Sequence, residues 1–89
     1  MSHLIVQLGY SVYGTGKSLS SAIEEAASVL DDPETGMQGT TRAAVESMLV
    51  PLGEALDGDI VAIEVDDDIP DDVETPTELY AWMVRSLSL

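Results

Sequence analysis

Leu4-Ile5-Val6-Gln7-Leu8-Gly9-Tyr10-Ser11-Val12-Tyr13 is the stretch on which the reading of the fold turns. Leu4, Val6, Leu8, Tyr10 and Val12 fall on one side of an extended chain. Ile5, Gln7, Gly9, Ser11 and Tyr13 fall on the other, which is the period-two pattern of a half-buried strand. Gly9 marks a bulge or a close backbone approach within it, and Gly14-Thr15-Gly16 ends it. If residues 4–14 bend into a hairpin, the sheet gains a further strand.

Downstream, Ser18 caps a helix in which Leu19, Ala22, Ile23, Ala26 and Leu30 recur at helical spacing, with Glu24 and Glu25 turned outward. Asp31-Asp32-Pro33 closes it, and residues 33–40, with Pro33, Gly36 and Gly39, read as a loop. A second helix begins after Thr40 or Thr41 and buries Ala44, Val45, Met48, Leu49 and Leu52. Pro51 breaks it near Val50, because proline inside a helix costs about 3 kcal/mol, and a short helical turn follows to Leu56. Asp57-Gly58-Asp59 is a turn, and Ile60 to Val65 is a strand with Val61, Ile63 and Val65 on one face. Thr75-Pro76-Thr77-Glu78 is a capping box with proline at the first helical position. It predicts a final helix from Pro76 to about Ser86 that buries Leu79, Trp82, Met83 and Leu87. The order strand-helix-helix-strand-helix predicts an α+β fold: one small two-layer domain over residues 1–89, with the helices packed on a small sheet.

Eighty-nine residues leave room for one core. With no Phe, one Trp and three Tyr, that core must be mostly aliphatic. Seventeen acidic residues against Lys17, Arg42 and Arg85 give a formal charge of −14. Such a chain should be repelled by free nucleic acid and by anionic membranes, and drawn to basic protein surfaces. The absence of Cys excludes disulfides, thiolate catalysis and cysteine zinc sites. The start Met1-Ser2-His3-Leu4 lacks the pattern of a signal peptide, and no apolar run approaches the roughly 20 residues of a membrane span. The expectation is a soluble, cytoplasmic protein, a monomer or weak dimer.

Several constellations bear on chemistry. Gly14-Thr15-Gly16-Lys17-Ser18 lies between a strand and a helix, where a phosphate loop would sit. Its first template glycine falls at Ser11, however, with Gly9 two residues out of register. A milder reading lets backbone N–H groups at the helix start hold an anion; the plainer one is a glycine turn feeding a capped helix. The pairs Glu24/Glu25 and Asp66/Asp68 read as solvated surface, not as a glycosidase dyad across a cleft. His3, the only histidine, reads as an exposed residue at a strand start. Counted from Asp66, a calcium loop would need Gly at Asp71 and Glu at Thr77, so only weak, nonspecific cation association is left. No catalytic, cofactor or metal site is therefore expected, and the chain reads as a non-enzyme.

What stands out is where the acids fall: Asp57, Asp59, Glu64, Asp66, Asp67, Asp68, Asp71, Asp72, Glu74 and Glu78 all lie within residues 57–78. Like charges so close raise the free energy of the folded state, which implies a compensating use. The first nine of these residues are the expected partner-binding set, with Tyr13 or Tyr80 as a further contact anchor. In size, charge and lack of catalytic machinery the whole chain resembles the small phage-encoded inhibitors of bacterial immunity, the anti-CRISPR and other DNA-mimic proteins. The resemblance implies a protein that blocks a basic nucleic-acid-binding surface, on a CRISPR effector subunit or another nucleic-acid-binding protein, in the host-cell cytoplasm. Two alternatives stand beside it: a salt-adapted acidic domain of the halophile type, which a single Lys in 89 residues fits, and a general protein-interaction adaptor.

Overall fold

The structure, a computed structural model, describes residues 1–31 and 41–87. The expected loop over residues 33–40, and the Asp32-Pro33 part of the first helix stop, lie outside the described residues. Three strands, β1 (Ser2–Gln7), β2 (Ser11–Gly16) and β3 (Ile60–Val65), form one antiparallel sheet in the order β2-β1-β3. Three helices accompany it: α1 (Leu19–Leu30), α2 (Arg42–Met48) and α3 (Pro76–Ser86). This is the expected α+β class, with the extra strand that a hairpin supplies.

The opening stretch folds back on itself and does not run on as one strand. Gly9 adopts φ +81°, a left-handed conformation that suits glycine, and the Tyr10 N–H donates to Gln7 O at 3.0 Å to close the reversal. Gly14-Thr15-Gly16, read as the strand's end, instead pairs with Ile5, Leu4 and His3 inside β2. Val6 opposes Val12 while Ile5 opposes Gly14, so Tyr13 is the extra residue of a bulge.

Leu4, Ile5 and Val6 are all fully buried, so the central strand must be covered on both faces. Leu4 and Val6 join Val12, Val61, Ile63 and Val65 beneath Trp82 and Met83 of α3. Ile5 joins Ala22, Ile23, Ala26, Ala27 and Leu30 of α1 and Val45 of α2. The helices thus divide between the two faces, where the sequence reading put them in a single layer. The uninterrupted burial of three successive β1 residues is the reason.

Local chemistry places each helix. The Ser18 hydroxyl accepts the Ser21 N–H at 3.1 Å, and Thr41 Oγ1 accepts the Ala44 N–H at 3.2 Å. Thr75 Oγ1 accepts the Glu78 N–H at 3.1 Å, while the Glu78 carboxylate accepts from Glu74 N–H at 3.4 Å, one residue earlier than the reciprocal bond of a standard capping box. Ahead of Pro51, α2 ends at Met48; the Val50 N–H then donates to Ile60 O at 2.9 Å, closing off the start of the β3 edge. Leu52–Glu54 forms the short turn expected after the break. Leu19 and Leu52, expected in buried stripes, are 43% and 45% exposed. Among the described residues, no helix is long and apolar enough to cross a membrane.

The α1 helix packs closely on β2. A Cβ placed on Gly14 would lie 2.2 Å from Ala22 O and 2.6 Å from Ala26 N, so the helix backbone rests directly on the glycine. Gly14→Ala should therefore destabilise the protein by about 1–3 kcal/mol or more through overpacking against backbone. Gly53→Ala, with nothing within 4 Å of the added carbon, should stay within about 0.5 kcal/mol of wild type. Urea titration followed by circular dichroism reads both, and equal midpoints for wild type and Gly14→Ala would show that the contact is not this close.

Candidate functional site

Beyond Val65 the chain leaves the sheet as Asp66-Asp67-Asp68 and is fastened to the start of β1. The Ser2 hydroxyl donates to Asp67 O at 3.0 Å, and the Met1 amine donates to Asp68 Oδ1 at 3.1 Å. One residue pair further in, His3 Nε2 lies 3.4 Å from Glu64 Oε2, because the two residues are register partners on β1 and β3. His3 is not the exposed residue expected from its position: its side chain is 16% exposed, and Nδ1 is buried without a hydrogen-bond partner.

The tract then alternates pins and acids. Ile69 and Val73, both half-buried, pack against the cluster beneath α3, while Asp71, Asp72 and Glu74 between and beyond them remain exposed. The Val73 N–H closes the intervening turn onto Pro70 O at 3.2 Å. The carboxylates are consequently held on a fixed frame but point into solvent; the Asp68 side chain is 79% exposed. Among the described residues, Asp68 is the one acid between residues 57 and 78 paired with a full positive charge, that of the Met1 amine, and Glu64 lies beside the His3 imidazole.

Asp57 and Asp59 lie elsewhere. The six residues of β3 run between them and Asp66, a span of about 20 Å. Asp59 Oδ2 accepts the Leu56 N–H at 3.0 Å, and the turn is tied to the first hairpin by Gly58 N–H to Leu8 O at 2.8 Å and Leu8 N–H to Asp59 O at 3.0 Å. The Asp57 carboxyl group packs over Gly9. The nine expected contact residues therefore form two groups: Glu64, Asp66, Asp67, Asp68, Asp71, Asp72 and Glu74 around one end of the sheet and along its flank, and Asp57 with Asp59 at the other end.

The tyrosines are also redistributed. Tyr13 is half-buried and its hydroxyl donates to Gln7 Oε1, while the Tyr80 hydroxyl accepts the Gly9 N–H at 2.9 Å. Both are engaged inside the domain. Tyr10, 71% exposed in the hairpin turn, and Leu56, 74% exposed, are the large outward side chains at that end. Sequence reasoning did not single them out, because alternation alone places Tyr10 on the same side as Leu4 and Val6 and does not tell whether it is exposed. It also missed a groove of about 300 Å³ along β2, where Val12 and Thr15 face Val29 of α1 and Ile69 and Val73 of the acidic tract.

The glycine motif serves packing and capping: Gly14 and Gly16 let α1 approach, and Ser18 caps it. A second cavity, of about 320 Å³, brings Lys17 beside Asp68 and Asp71, carboxylates that disfavour an anion there. Among the described residues, no group of three or more His, Cys, Asp or Glu side chains is arranged to hold a metal ion. The arrangement offers exposed hydrogen-bond acceptors, the complement of Arg and Lys on another molecule. No protein-family model, curated protein or solved structure matches the chain.

The different roles of the tyrosines are measurable. Tyr80→Phe removes the acceptor for the Gly9 N–H and should cost about 0.5–1.5 kcal/mol. Tyr10→Ala should change stability by less than about 0.5 kcal/mol because the ring is largely in solvent. Thermal unfolding of the two variants should rank them in that order, and the reverse ranking would contradict the assigned bond.

Proposed function

We propose that this protein is a non-enzymatic inhibitor that seats its acidic rim in the basic nucleic-acid-binding groove of a partner protein, in the manner of the anti-CRISPR and DNA-mimic proteins it resembles in character. The proposed partner is a bacterial defence complex, such as a CRISPR effector subunit. The observation that carries this reading is the anchored tract. Asp66, Asp67, Asp68, Asp71, Asp72 and Glu74 are exposed within nine residues, yet Ser2, Ile69 and Val73 hold their backbone to the fold. A loose acidic tail would lose conformational entropy on docking, whereas carboxylates already positioned lose less. DNA presents one negative charge per about 1.7 Å of helix axis, and a rigid row of carboxylates reproduces part of that field for Arg and Lys built to grip phosphate.

The test is competition. Purified CRISPR effector complexes and restriction enzymes, each loaded with fluorescent DNA, are titrated with the protein at rising NaCl. DNA should be displaced from at least one of them, with an apparent affinity that falls as salt rises. Neutralising the rim by D66N/D67N/D68N should weaken displacement more than neutralising Glu24 and Glu25 by E24Q/E25Q. Undiminished displacement by the triple variant at physiological salt rules out the rim as the contact, and no displacement across the panel at low salt rules out the reading.

Salt adaptation makes the opposite demand on folding. Under the inhibitor reading, circular dichroism should show the same folded spectrum in low-salt buffer and in molar KCl. A fold that appears only in molar KCl would assign the charge to its solvent and not to a partner.

A further inference from the structure

The groove beside β2 is bounded on one side by a strand whose outer edge pairs with no other strand among the described residues. β2 is a terminal strand of the sheet, paired only with β1. Among the described residues, no backbone–backbone hydrogen bond outside that ladder involves Val12 to Gly16, and the Ser11 hydroxyl donates to Val12 O at 3.4 Å. Val12, Tyr13, Gly14 and Thr15 line the groove, Val12 and Gly14 buried and Tyr13 and Thr15 half-buried, so it runs along β2 past the Tyr13 bulge. An open edge of this kind is a template for pairing with another extended chain.

The opposite walls specify what kind of chain. Val29 on α1 and Ile69, Val73 and Leu79 on the other side supply an apolar lining. Glu25, one helical turn before Val29, and Glu74, directly after Val73, place a carboxylate on each wall. Lys17, Arg42 and Arg85 are absent from the lining, so the groove carries negative charge alone. Val29 is 49% exposed, a large apolar side chain left open to solvent at the groove's rim.

We infer that this groove binds an extended segment of a protein partner in which Arg or Lys alternates with aliphatic residues, added as a strand to the open edge of β2. Successive side chains of an added strand point to opposite faces, toward α1 and toward the Ile69–Leu79 wall. Aliphatic side chains fill the apolar lining between these walls, and the long stems of Arg or Lys lie along it with their charged heads on Glu25 and Glu74. Main-chain bonds to β2 supply affinity, and the paired carboxylates supply the selection for a basic sequence. A second copy of this chain is disfavoured as occupant, because each copy carries a formal charge of −14. The inference rests on the reading that the partner is basic, and adds to it a second, shape-dependent contact that adjoins the acidic tract and shares Glu74 with it.

The experiment uses the full chain, labelled with nitrogen-15, and two capped synthetic nonapeptides of equal charge, one alternating arginine with valine and one alternating arginine with serine. The arginine–valine peptide should shift the amide resonances of Val12 to Thr15 and of Val73, and slow hydrogen exchange in β2. It should also bind about tenfold more tightly than the arginine–serine peptide. Val29→Arg, at an exposed position that should not disturb folding, should weaken the arginine–valine peptide about tenfold and leave the arginine–serine peptide within about twofold. E25Q should likewise weaken the arginine–valine peptide.

Equal binding of the two peptides, with shifts confined to residues 66–72, overturns the groove while leaving the acidic-rim reading in place. Failure of both peptides to bind at low salt overturns both. Protection of β2 that rises with protein concentration in the absence of peptide identifies a second copy as the occupant, and also overturns the proposal.

Discussion

Burial of β1 from both sides is the constraint from which the remaining elements take their places. Leu4, Ile5 and Val6 are fully buried in succession, which a strand achieves only at the centre of a sheet with cover above and below. Each such side chain contributes about 1.5–3 kcal/mol on leaving water. A single helical layer would leave either Ile5 or the Leu4–Val6 pair in solvent. The chain resolves this by supplying β2 and β3 as lateral neighbours, α1 and α2 as one lid, and α3 as the other.

That constraint accounts for details that look independent. Gly9 is needed because the hairpin must reverse within a few residues, and its left-handed φ makes the turn possible without strain. Gly14 is needed because α1, a lid rich in alanine, sits close enough for its backbone to touch β2. The same sequence run that invites comparison with a phosphate loop is thus explained by strand pairing, helix approach and a serine cap. Its resemblance to a nucleotide site was one of composition, and its register inside β2 removes the loop that such a site requires.

The acidic tract is a second constraint laid over the first. Carboxylates gathered within nine residues repel one another, and their backbone would swing free without attachment. Ile69 and Val73 supply that attachment by joining the core beneath α3, and Ser2 adds a hydrogen bond from β1. The acids therefore border two surfaces of different kind. One is a charged rim at the end of the sheet, and the other is an apolar groove along β2 whose walls end in Glu25 and Glu74.

Much of this was written locally. Ser18, Thr41 and Thr75 cap the three helices from their own side chains, Pro51 coincides with the end of α2, Val61, Ile63 and Val65 alternate into the core, and the charge follows from composition alone. These features depend on neighbours a few residues apart, so periodicity and capping rules reach them. The hairpin within residues 4–14 was legible only as one of two options, because period-two alternation is the same whether the strand runs on or turns back at Gly9. The division of helices between two faces, the separation of Asp57 and Asp59 from the main rim, the engagement of Tyr13 and Tyr80, and the groove beside β2 were decided by tertiary structure. Each depends on contacts between residues distant in the chain, and no local pattern records which face of a central strand a remote helix will cover.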